Sequence, residues 1–220
     1  MGFFLIETLL IVFVDRPLAS YMHALDMQNQ QMHSVINFFR YITDLGKGCW
    51  YLWPCSIITI FCAFLSRGGD VPSRYRRLFG YIGVRTLFLF STIAISGIIA
   101  NIIKPIIGRA RPVLWLRDQI YGFEPFSLAD AAWKSMPSGH ATTVFALAFS
   151  LAALYPRGRI IWFLYAFLVA LSRIFVSAHY LSDVLAGMVL GGLTVCFFRI
   201  YGMSPLGEII FPIDKSSKMH

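Results

Sequence analysis

Five long apolar runs alternate with short polar segments along the chain. Each run is bounded by charged residues, proline or glycine, as in "SRGGDVPSRYRR" after the first and "YPRGR" between the third and the fourth. A helix needs about 20 mainly apolar residues to cross a bilayer. The pattern therefore predicts five transmembrane helices, at residues 49–66, 82–103, 140–155, 160–178 and 184–200. The third run is short, so we expect its helix to extend by a turn or to tilt.

The N-terminal run "FFLIETLLIVFV" (residues 3–14) is shorter still, and Glu7 interrupts it. Its ~12 residues rise only ~18 Å as a helix. We interpret it as a first membrane helix whose ends reach the interface; a cleaved signal peptide is less favoured because no basic n-region precedes the run. The amphipathic segment that follows, up to residue 48, is predicted to lie along the membrane surface. The expected fold is an all-α polytopic membrane bundle of six transmembrane helices, forming a single domain over residues 1–220.

Composition supports the membrane assignment. Hydrophobic residues make up 57% of the 220-residue chain and charged residues 14%, with a mean hydropathy of +0.66. A soluble domain carries about a quarter charged residues, so this chain has too little charge to cover its surface in water. The formal net charge is +8, but no soluble basic face interleaved with aromatic residues indicates nucleic-acid binding. Anionic lipid headgroups explain the excess better.

Basic residues in short loops predict which face of the membrane is cytoplasmic. Three basic segments fall on one face: Arg67, Arg74, Arg76 and Arg77; Arg157 and Arg159; and Lys215 and Lys218. The opposite face carries Lys47, Lys104, Arg109, Arg111, Arg117 and Lys134. The two counts are nearly even, and the higher density per loop favours the first face as cytoplasmic. The chain is therefore expected in a bacterial inner membrane, with the opposite face in the periplasm.

Seven polar or ionisable residues meet on that outer face, at the ends of four predicted helices. They are Lys104, Arg111, Ser138, His140, Arg173, His179 and Asp183. Three of them are cations, and the guanidinium groups suit phosphate oxygens. Gly139 lets a helix N-terminus, with its free N–H groups, approach an anion closely. The pattern predicts a phosphate pocket in which side-chain cations take the place of Mg²⁺, with no metal and no cofactor.

The two histidines of this cluster are candidates for the chemistry. His179 and Asp183 are four residues apart, so they share one face if a helix starts there. A carboxylate on one imidazole nitrogen leaves the other nitrogen free to attack phosphorus. His140, across the pocket, can protonate the leaving oxygen.

Each of these residues also has a structural interpretation. Lys104 and Arg173 could extend from helix ends to the interface, and the histidine–aspartate pair could be a structural hydrogen bond. The same pair with the second histidine could in principle bind a metal, which three nearby cations disfavour. Arg109 and Arg117 are interpreted as ordinary headgroup contacts outside the core site.

Three segments together resemble the signature of the type 2 phosphatidic acid phosphatase family: "KPIIGRARP" (104–112), "PSGH" (137–140) and "SRIFVSAHYLSD" (172–183). Eleven fixed positions match in order and spacing, and the motif core spans residues 104–183. The resemblance implies a six-helix membrane bundle that hydrolyses phosphate esters or anhydrides through a phosphohistidine. Vanadium haloperoxidases share the signature but are soluble, so the predicted membrane helices argue against that branch.

The same resemblance implies a role for each matching residue. His179 would be the nucleophile, Asp183 its partner and His140 the acid. The phosphoryl group would be bound by Lys104, Arg111, Ser138, Gly139 and Arg173. Ser172 is a further candidate for supporting these groups.

The expected function is that of an integral membrane lipid phosphatase whose substrate enters from the bilayer. Undecaprenyl diphosphate, phosphatidylglycerol phosphate and lipid A 1-phosphate are the candidate substrates. Two alternatives remain: a phosphotransferase that passes the phosphate to another lipid hydroxyl, and a non-catalytic lipid-phosphate binding or transport protein. The aromatic residues of the 113–136 loop indicate either a headgroup selector and lid or an interfacial belt; they are Trp115, Tyr121, Phe123, Phe126 and Trp133.

Overall fold

The computed structural model of the chain describes residues 2–28, 30–68, 71–128 and 130–202. Within these ranges the α-helices are α1 (Gly2–Leu9), α2 (Asp15–Gln28), α3 (Gln30–Asp44), α4 (Cys49–Arg67), α5 (Ser73–Ile107), α6 (Pro112–Asp118), α7 (Gly139–Leu154), α8 (Arg159–Phe175) and α9 (Leu181–Phe197). Short helical turns lie at Leu10–Val14, Ala131–Trp133, Pro156–Gly158 and Phe198–Gly202. The tail lysines Lys215 and Lys218, on which part of the sidedness prediction depends, lie outside the described residues.

In the described part of the chain, four helical runs are long and apolar enough to cross a membrane: Gln30–Arg67, Ser73–Ile107, Pro156–Phe175 and Leu181–Tyr201. The shorter α7 is also apolar, with 16 residues. The prediction of an all-α polytopic membrane protein is confirmed. The largest difference from the predicted bounds is in α5, whose 35 residues extend about 52 Å. It starts earlier than expected because the arginines before its apolar run favour a helix too.

The N-terminal run is helical and continues without a break into α2. It is not among the described runs that are long and apolar enough to cross, so its crossing stays a prediction. Glu7, which interrupts the run, is only 5% exposed, because α1 and the turn after it contact α9. The amphipathic segment forms α2 and α3, and α3 packs against α8 with Phe39 stacked on Phe175. Its orientation along the membrane surface stays a prediction.

Helix α7 lies at the centre of the bundle, where it packs against α5, α8 and α9. Two glycines one turn apart allow α9 to approach it closely. A Cβ on Gly187 would lie 2.6 Å from the Ser138 carbonyl oxygen, and one on Gly191 would lie 2.7 Å from the Thr142 carbonyl oxygen. Small residues let membrane helices pack backbone to backbone. This contact fixes the start of α9 beside the start of α7.

Gly108 ends α5 and turns the chain back over the bundle. Its φ is 59°, and a Cβ would lie 1.6 Å from the Glu124 carbonyl oxygen, so only glycine fits there. The chain beyond it runs beside a later part of the same loop, with the Ala110 N–H donating to the Gly122 carbonyl (3.0 Å). The loop therefore covers the end of the bundle where α5 and α8 finish and α7 and α9 begin, which we call the site end.

Candidate active site

The residues predicted to form the site all lie at the site end. They are Lys104 in the last turn of α5, Arg111 before α6, Ser138, Gly139 and His140 at the start of α7, Arg173 in the last turn of α8, His179 in the α8–α9 connection and Asp183 in the first turn of α9. Two backbone hydrogen bonds join these segments: the Ser138 N–H donates to the Asp183 carbonyl (2.8 Å), and the His179 N–H donates to the Arg173 carbonyl (3.2 Å). The first motif joins them through Arg109, which donates to the Asp183 carboxylate (2.6 Å), so the structure brings the three motifs together.

The pair formed by His179 and Asp183 differs from the expected geometry. Helix α9 begins at Leu181, so His179 precedes the helix instead of sharing a face with Asp183. Its Nδ1 lies 3.6 Å from Asp183 Oδ2, which is longer than a hydrogen bond. The Ser135 hydroxyl, which the sequence did not single out, donates to the same carboxylate oxygen (2.5 Å) and lies 3.5 Å from His179 Nδ1. Because Nδ1 faces this pair, Nε2 is the nitrogen left for a substrate.

His179 is held as a neutral imidazole. Burial lowers its pKa to about 4, and the charges of Arg173 and Arg111 act in the same direction, while the Asp183 carboxylate opposes them. The side chain is 3% exposed. At neutral pH the ring therefore carries a free lone pair, which a nucleophile requires.

Several hydrogen-bond donors around the imidazole are buried without a partner. Within the described residues, Arg111 Nε, Arg173 Nε and Ser138 Oγ make no hydrogen bond. Lys104 and these two arginines form no salt bridge with a described carboxylate. Burial lowers the pKa of Arg111, which shows that its charge is removed from water without full compensation. Donors and cations of this kind fit the oxygens of a phosphoryl group.

The start of α7 adds backbone donors to the pocket. The Thr142 N–H donates to the Ser138 carbonyl (2.9 Å), the first hydrogen bond within the helix. The N–H groups of the residues before Thr142 have no acceptor within the helix. Lys104 lies beside this turn: a Cβ on Gly139 would be 3.3 Å from Nζ. Glycine therefore lets the ammonium group lie against the helix start, where the helix dipole also favours an anion.

The last turn of α3 and the turn that follows it contact two residues of the site, and neither contact was predicted from the sequence. A Cβ on Gly46 would lie 2.5 Å from His140 Cδ2 and 2.8 Å from His140 Cγ, so the imidazole packs directly on this glycine. Arg173 Nη1 donates to the Thr43 hydroxyl. The Leu45 carbonyl oxygen accepts a hydrogen bond from Tyr51, which fixes the turn.

A cavity of about 470 Å³ leads from His140, Lys104 and Gly139 between α4 and α5. Its other walls are mainly apolar or small side chains: Leu52, Ile93, Ala94, Gly97 and Ile98. The polar residues Lys47 and Asn101 also line it. The cavity thus combines a polar end at the site with an apolar wall along the helices.

The interpretation of Arg109 as a headgroup contact is wrong. Its side chain is 1% exposed, and its two terminal nitrogens bind two different carboxylates. Arg109 Nη1 donates to Asp183 Oδ1 (2.6 Å), and Nη2 donates to Asp15 Oδ2 (2.5 Å). These bonds raise the pKa of the guanidinium despite its burial. Arg109 is therefore part of the site, directly behind the histidine–aspartate pair.

Other predicted residues lie away from the pocket. The Arg117 side chain is 72% exposed and pairs with Asp118, as expected for a residue outside the core. The Ser172 hydroxyl donates to the Val169 carbonyl of its own helix (2.6 Å). Tyr121 is not a lid residue: its hydroxyl donates to the Ile11 carbonyl (2.6 Å) and accepts from Arg109 (3.2 Å). Phe126, at 73% exposed, remains available as a surface aromatic.

Fold and site together define a class: a helical membrane protein with a neutral, carboxylate-backed imidazole among cations that suit a phosphoryl group. The family model of the PAP2 superfamily matches residues 85–204. The chain belongs to this superfamily, and it is a membrane lipid phosphatase.

Three similar proteins refine this placement. The chain is 38% identical over 189 residues to a lipid A 1-phosphatase of Rhizobium etli, covering 78% of each chain. It is 36% identical over 156 residues to a lipid A 1-phosphatase of Rhizobium johnstonii, covering 68% of this chain and 61% of that one. The crystal structure of a transmembrane PAP2 type phosphatidylglycerolphosphate phosphatase from Bacillus subtilis has the same fold, with a TM-score of 0.59, 21% identity and coverage of 91% and 92%.

Proposed function

We propose that the chain hydrolyses the 1-phosphate of lipid A or of a closely similar glycolipid, through a phosphohistidine and without a metal. One observation carries the proposed chemistry: buried Arg173 and half-buried Lys104 and Arg111 have no described carboxylate partner, and they lie at the same end of the bundle as an imidazole whose Nε2 is left free. The similarity to two lipid A 1-phosphatases, one of them over 78% of both chains, favours this substrate over the other two candidates.

In the first step, His179 Nε2 attacks the phosphorus atom as the bond from phosphorus to the lipid oxygen breaks. The negative charge of the bound phosphate favours the protonated form of His140, and this imidazolium gives its proton to that oxygen, so the lipid leaves as an alcohol. Arg111, Arg173 and Lys104 bind the phosphoryl oxygens and stabilise the charge that develops on them. Ser138 and the N–H groups at the start of α7 add further donors.

In the second step, His140 removes a proton from a water molecule whose oxygen attacks the same phosphorus atom. The nitrogen–phosphorus bond breaks, inorganic phosphate leaves, and the lone pair returns to His179 Nε2. Asp183 and Ser135 keep Nδ1 protonated throughout, so the same nitrogen reacts in every cycle.

The cavity between α4 and α5 supports access from the bilayer. It ends at His140 and Lys104, and its walls along the helices are apolar, so an acyl chain could lie there while the phosphate reaches the cations. One lipid could then keep its acyl chain on the bilayer side of the cavity while its headgroup occupies the polar end at the site.

We place the site end in the periplasm, because the loops dense in arginine lie at the other end of the bundle. In a variant without native cysteines, a cysteine at Phe126 should react with a membrane-impermeant thiol reagent in intact spheroplasts. A cysteine at Arg157 should react only after permeabilisation. The reverse pattern would contradict this orientation.

The proposed function is tested by phosphate release from purified protein in micelles, with lipid A 1-phosphate, undecaprenyl diphosphate and phosphatidylglycerol phosphate compared at equal concentration. We expect kcat/KM to be highest for lipid A 1-phosphate, and His179→Ala to abolish release while lipid binding persists. A higher kcat/KM for either of the other two lipids would contradict the proposed lipid A substrate. A newly phosphorylated lipid in place of free phosphate would indicate phosphotransfer, and unchanged function in His179→Ala would indicate a binding or transport protein.

The same assay tests the absence of a metal from the mechanism. Activity should persist in EDTA, and vanadate should inhibit it because vanadate adopts the five-coordinate geometry of the reacting phosphorus. Loss of activity in EDTA that Mg²⁺ restores would contradict the proposed pocket.

A further inference from the structure

Asp15 belongs to the N-terminal helical segment, and it is bound into the back of the site. Its side chain is fully buried. One carboxylate oxygen accepts hydrogen bonds from Arg109 Nη2 (2.5 Å) and from the Ser182 hydroxyl (2.5 Å). The other accepts from the Ser182 backbone N–H (3.2 Å), in the first turn of α9. Asp15 therefore contacts both the guanidinium that holds Asp183 and the helix turn that carries it.

Ser182 closes this arrangement into a compact unit. Its hydroxyl donates to Asp15 and accepts from Arg109 Nη1 (2.5 Å). The same Arg109 nitrogen donates to Asp183 (2.6 Å). Four side-chain hydrogen bonds of 2.5–2.6 Å thus join the members of the unit, so a displacement of one member is transmitted to the next.

The charges of the unit do not cancel. Arg109 contributes one positive charge, whereas Asp15 and Asp183 contribute two negative charges, and all three side chains are at most 1% exposed. An isolated pair of Arg109 and Asp183 would be neutral toward the imidazole. With Asp15 present, a net negative charge remains behind His179.

We propose that Asp15 is a positioning residue of the phosphatase reaction, acting through Arg109 and Ser182 on Asp183 and so on His179. This inference rests on the proposed function. When His179 Nε2 bonds to phosphorus, the ring becomes positively charged while Nδ1 keeps its proton. A net negative charge behind the ring stabilises that state more than the neutral starting imidazole, so it lowers the barrier of the first step.

A purely structural tether for the N-terminal segment would have a different signature. Loss of a tether lowers the number of folded molecules, and every folded molecule keeps the wild-type rate. Loss of the charge lowers the rate of each folded molecule, with little change in KM, because Asp15 does not touch the substrate. The two roles are separated by kcat per active site.

The test is Asp15→Asn, which keeps the shape and an acceptor oxygen but removes the charge. Active sites are counted from the amount of vanadate bound at saturation, a count that does not depend on the rate of the first step. We expect kcat per site to fall roughly 10- to 100-fold, as for other outer-shell partners of a reactive group, with KM within about twofold. A wild-type kcat per site, or a change confined to KM, would overturn the proposal.

A second variant and a control complete the experiment. Ser182→Ala removes the hydroxyl that bridges Asp15 and Arg109 but leaves all charges in place. With both of these buried hydrogen bonds lost, kcat per site should fall by about fivefold or more. A wild-type value there would also overturn the proposal, even if Asp15→Asn does not fold. Asp118→Asn, at an exposed pair, should match the wild type.

If the wild-type protein releases no phosphate from any lipid phosphate, the proposed function fails. If the wild type is active and both variants match it, only the role of Asp15 fails.

Discussion

Two regions of the chain build the same pocket in different ways. The motif core, residues 104–183, supplies the groups that contact a phosphate: the imidazoles, the cations and the start of α7. The N-terminal region, residues 2–48, supplies groups that contact those groups. Asp15 binds Arg109 behind Asp183, Thr43 accepts from Arg173, and Gly46 packs on His140.

The difference lies in what each region has to satisfy. A reacting group must have particular chemistry, so the core uses residue types that are recognisable in sequence. A supporting group needs only the right shape or one hydrogen bond at the right place, so an ordinary threonine or glycine is sufficient. We therefore expect substitutions in the motif core to lower the rate of the chemical step most. Substitutions in the N-terminal region should lower that rate by displacing the reacting groups.

After the loss of the nucleophile in His179→Ala, the largest effect is expected for His140→Ala in the core. Removing a general acid and base costs about 10²- to 10⁴-fold in kcat. The loss in kcat should be smaller for a substrate with a weakly basic leaving group, such as a nitrophenyl phosphate. The oxygen of nitrophenol can leave without a proton from His140. Rapid-quench rates with both substrates check this, and an equal loss for the two would contradict the role of His140.

Gly46→Ala should give the next largest effect, although it leaves the chemistry of the same imidazole intact. The added Cβ would lie 2.5 Å from His140 Cδ2, so the ring or the turn must move. A displacement of about 1 Å can cost 10²-fold in rate. The matched control is Gly80→Ala, since a Cβ there meets nothing within 4 Å. Wild-type kcat in both variants would show that the turn does not position His140.

Thr43→Val should have a smaller effect, because Arg173 keeps its charge and loses one hydrogen bond. A hydrogen bond to a charged group contributes about 1.5 kcal/mol or more, which corresponds to roughly tenfold weaker binding of the anion. We expect the vanadate inhibition constant to rise by about that factor. An unchanged constant would mean that Arg173 is positioned by the bundle alone.

The last prediction concerns the free energy of unfolding, and not a reaction rate or a binding constant. The pKa of His179 is about 4 in the folded protein and 6.5 in the unfolded chain. Because the folded-state pKa is the lower one, the stability contribution of the neutral ring is complete above pH 6.5 and is lost as the pH falls toward 4. Between pH 7 and pH 5 the free energy of unfolding should drop by about 2 kcal/mol from this residue. In denaturant titrations in micelles, His179→Gln should show a decrease in the free energy of unfolding between these pH values that is smaller by this amount. An equal decrease in both proteins would contradict the neutral, buried state of His179.

The helices were predictable where the boundary of an apolar run coincides with a helix break. This holds for α4, which ends at Arg67 before Gly68, and fails for α5, which begins in the charged stretch that precedes its apolar run. Charged residues can remain helical in water or at the interface, so hydropathy alone does not mark that end.

The supporting residues of the site were not predictable from the sequence. Arg109 lies among other arginines in a loop, and nothing in its spacing distinguishes a buried guanidinium from one that contacts lipid headgroups. Its partner Asp15 is 94 residues away, so only the fold brings the two together. The start of α9 at Leu181 is fixed by a local cap, in which Asp183 accepts from the Tyr180 N–H, and by a tertiary contact, in which Asp183 accepts from Ser135. The tertiary contact was not predictable.

The central claim is that His179 forms the covalent bond to phosphorus, and acid-labile phosphate trapped on the enzyme tests it directly. Protein mixed with a lipid phosphate is denatured in alkali within one turnover, digested and sequenced by mass spectrometry, with ³¹P NMR to assign the nitrogen. The account predicts phosphate on Nε2 of His179, because Nδ1 faces Ser135 and Asp183. Turnover with no label on this ring, or with the label on Nδ1 or on another residue, would contradict it.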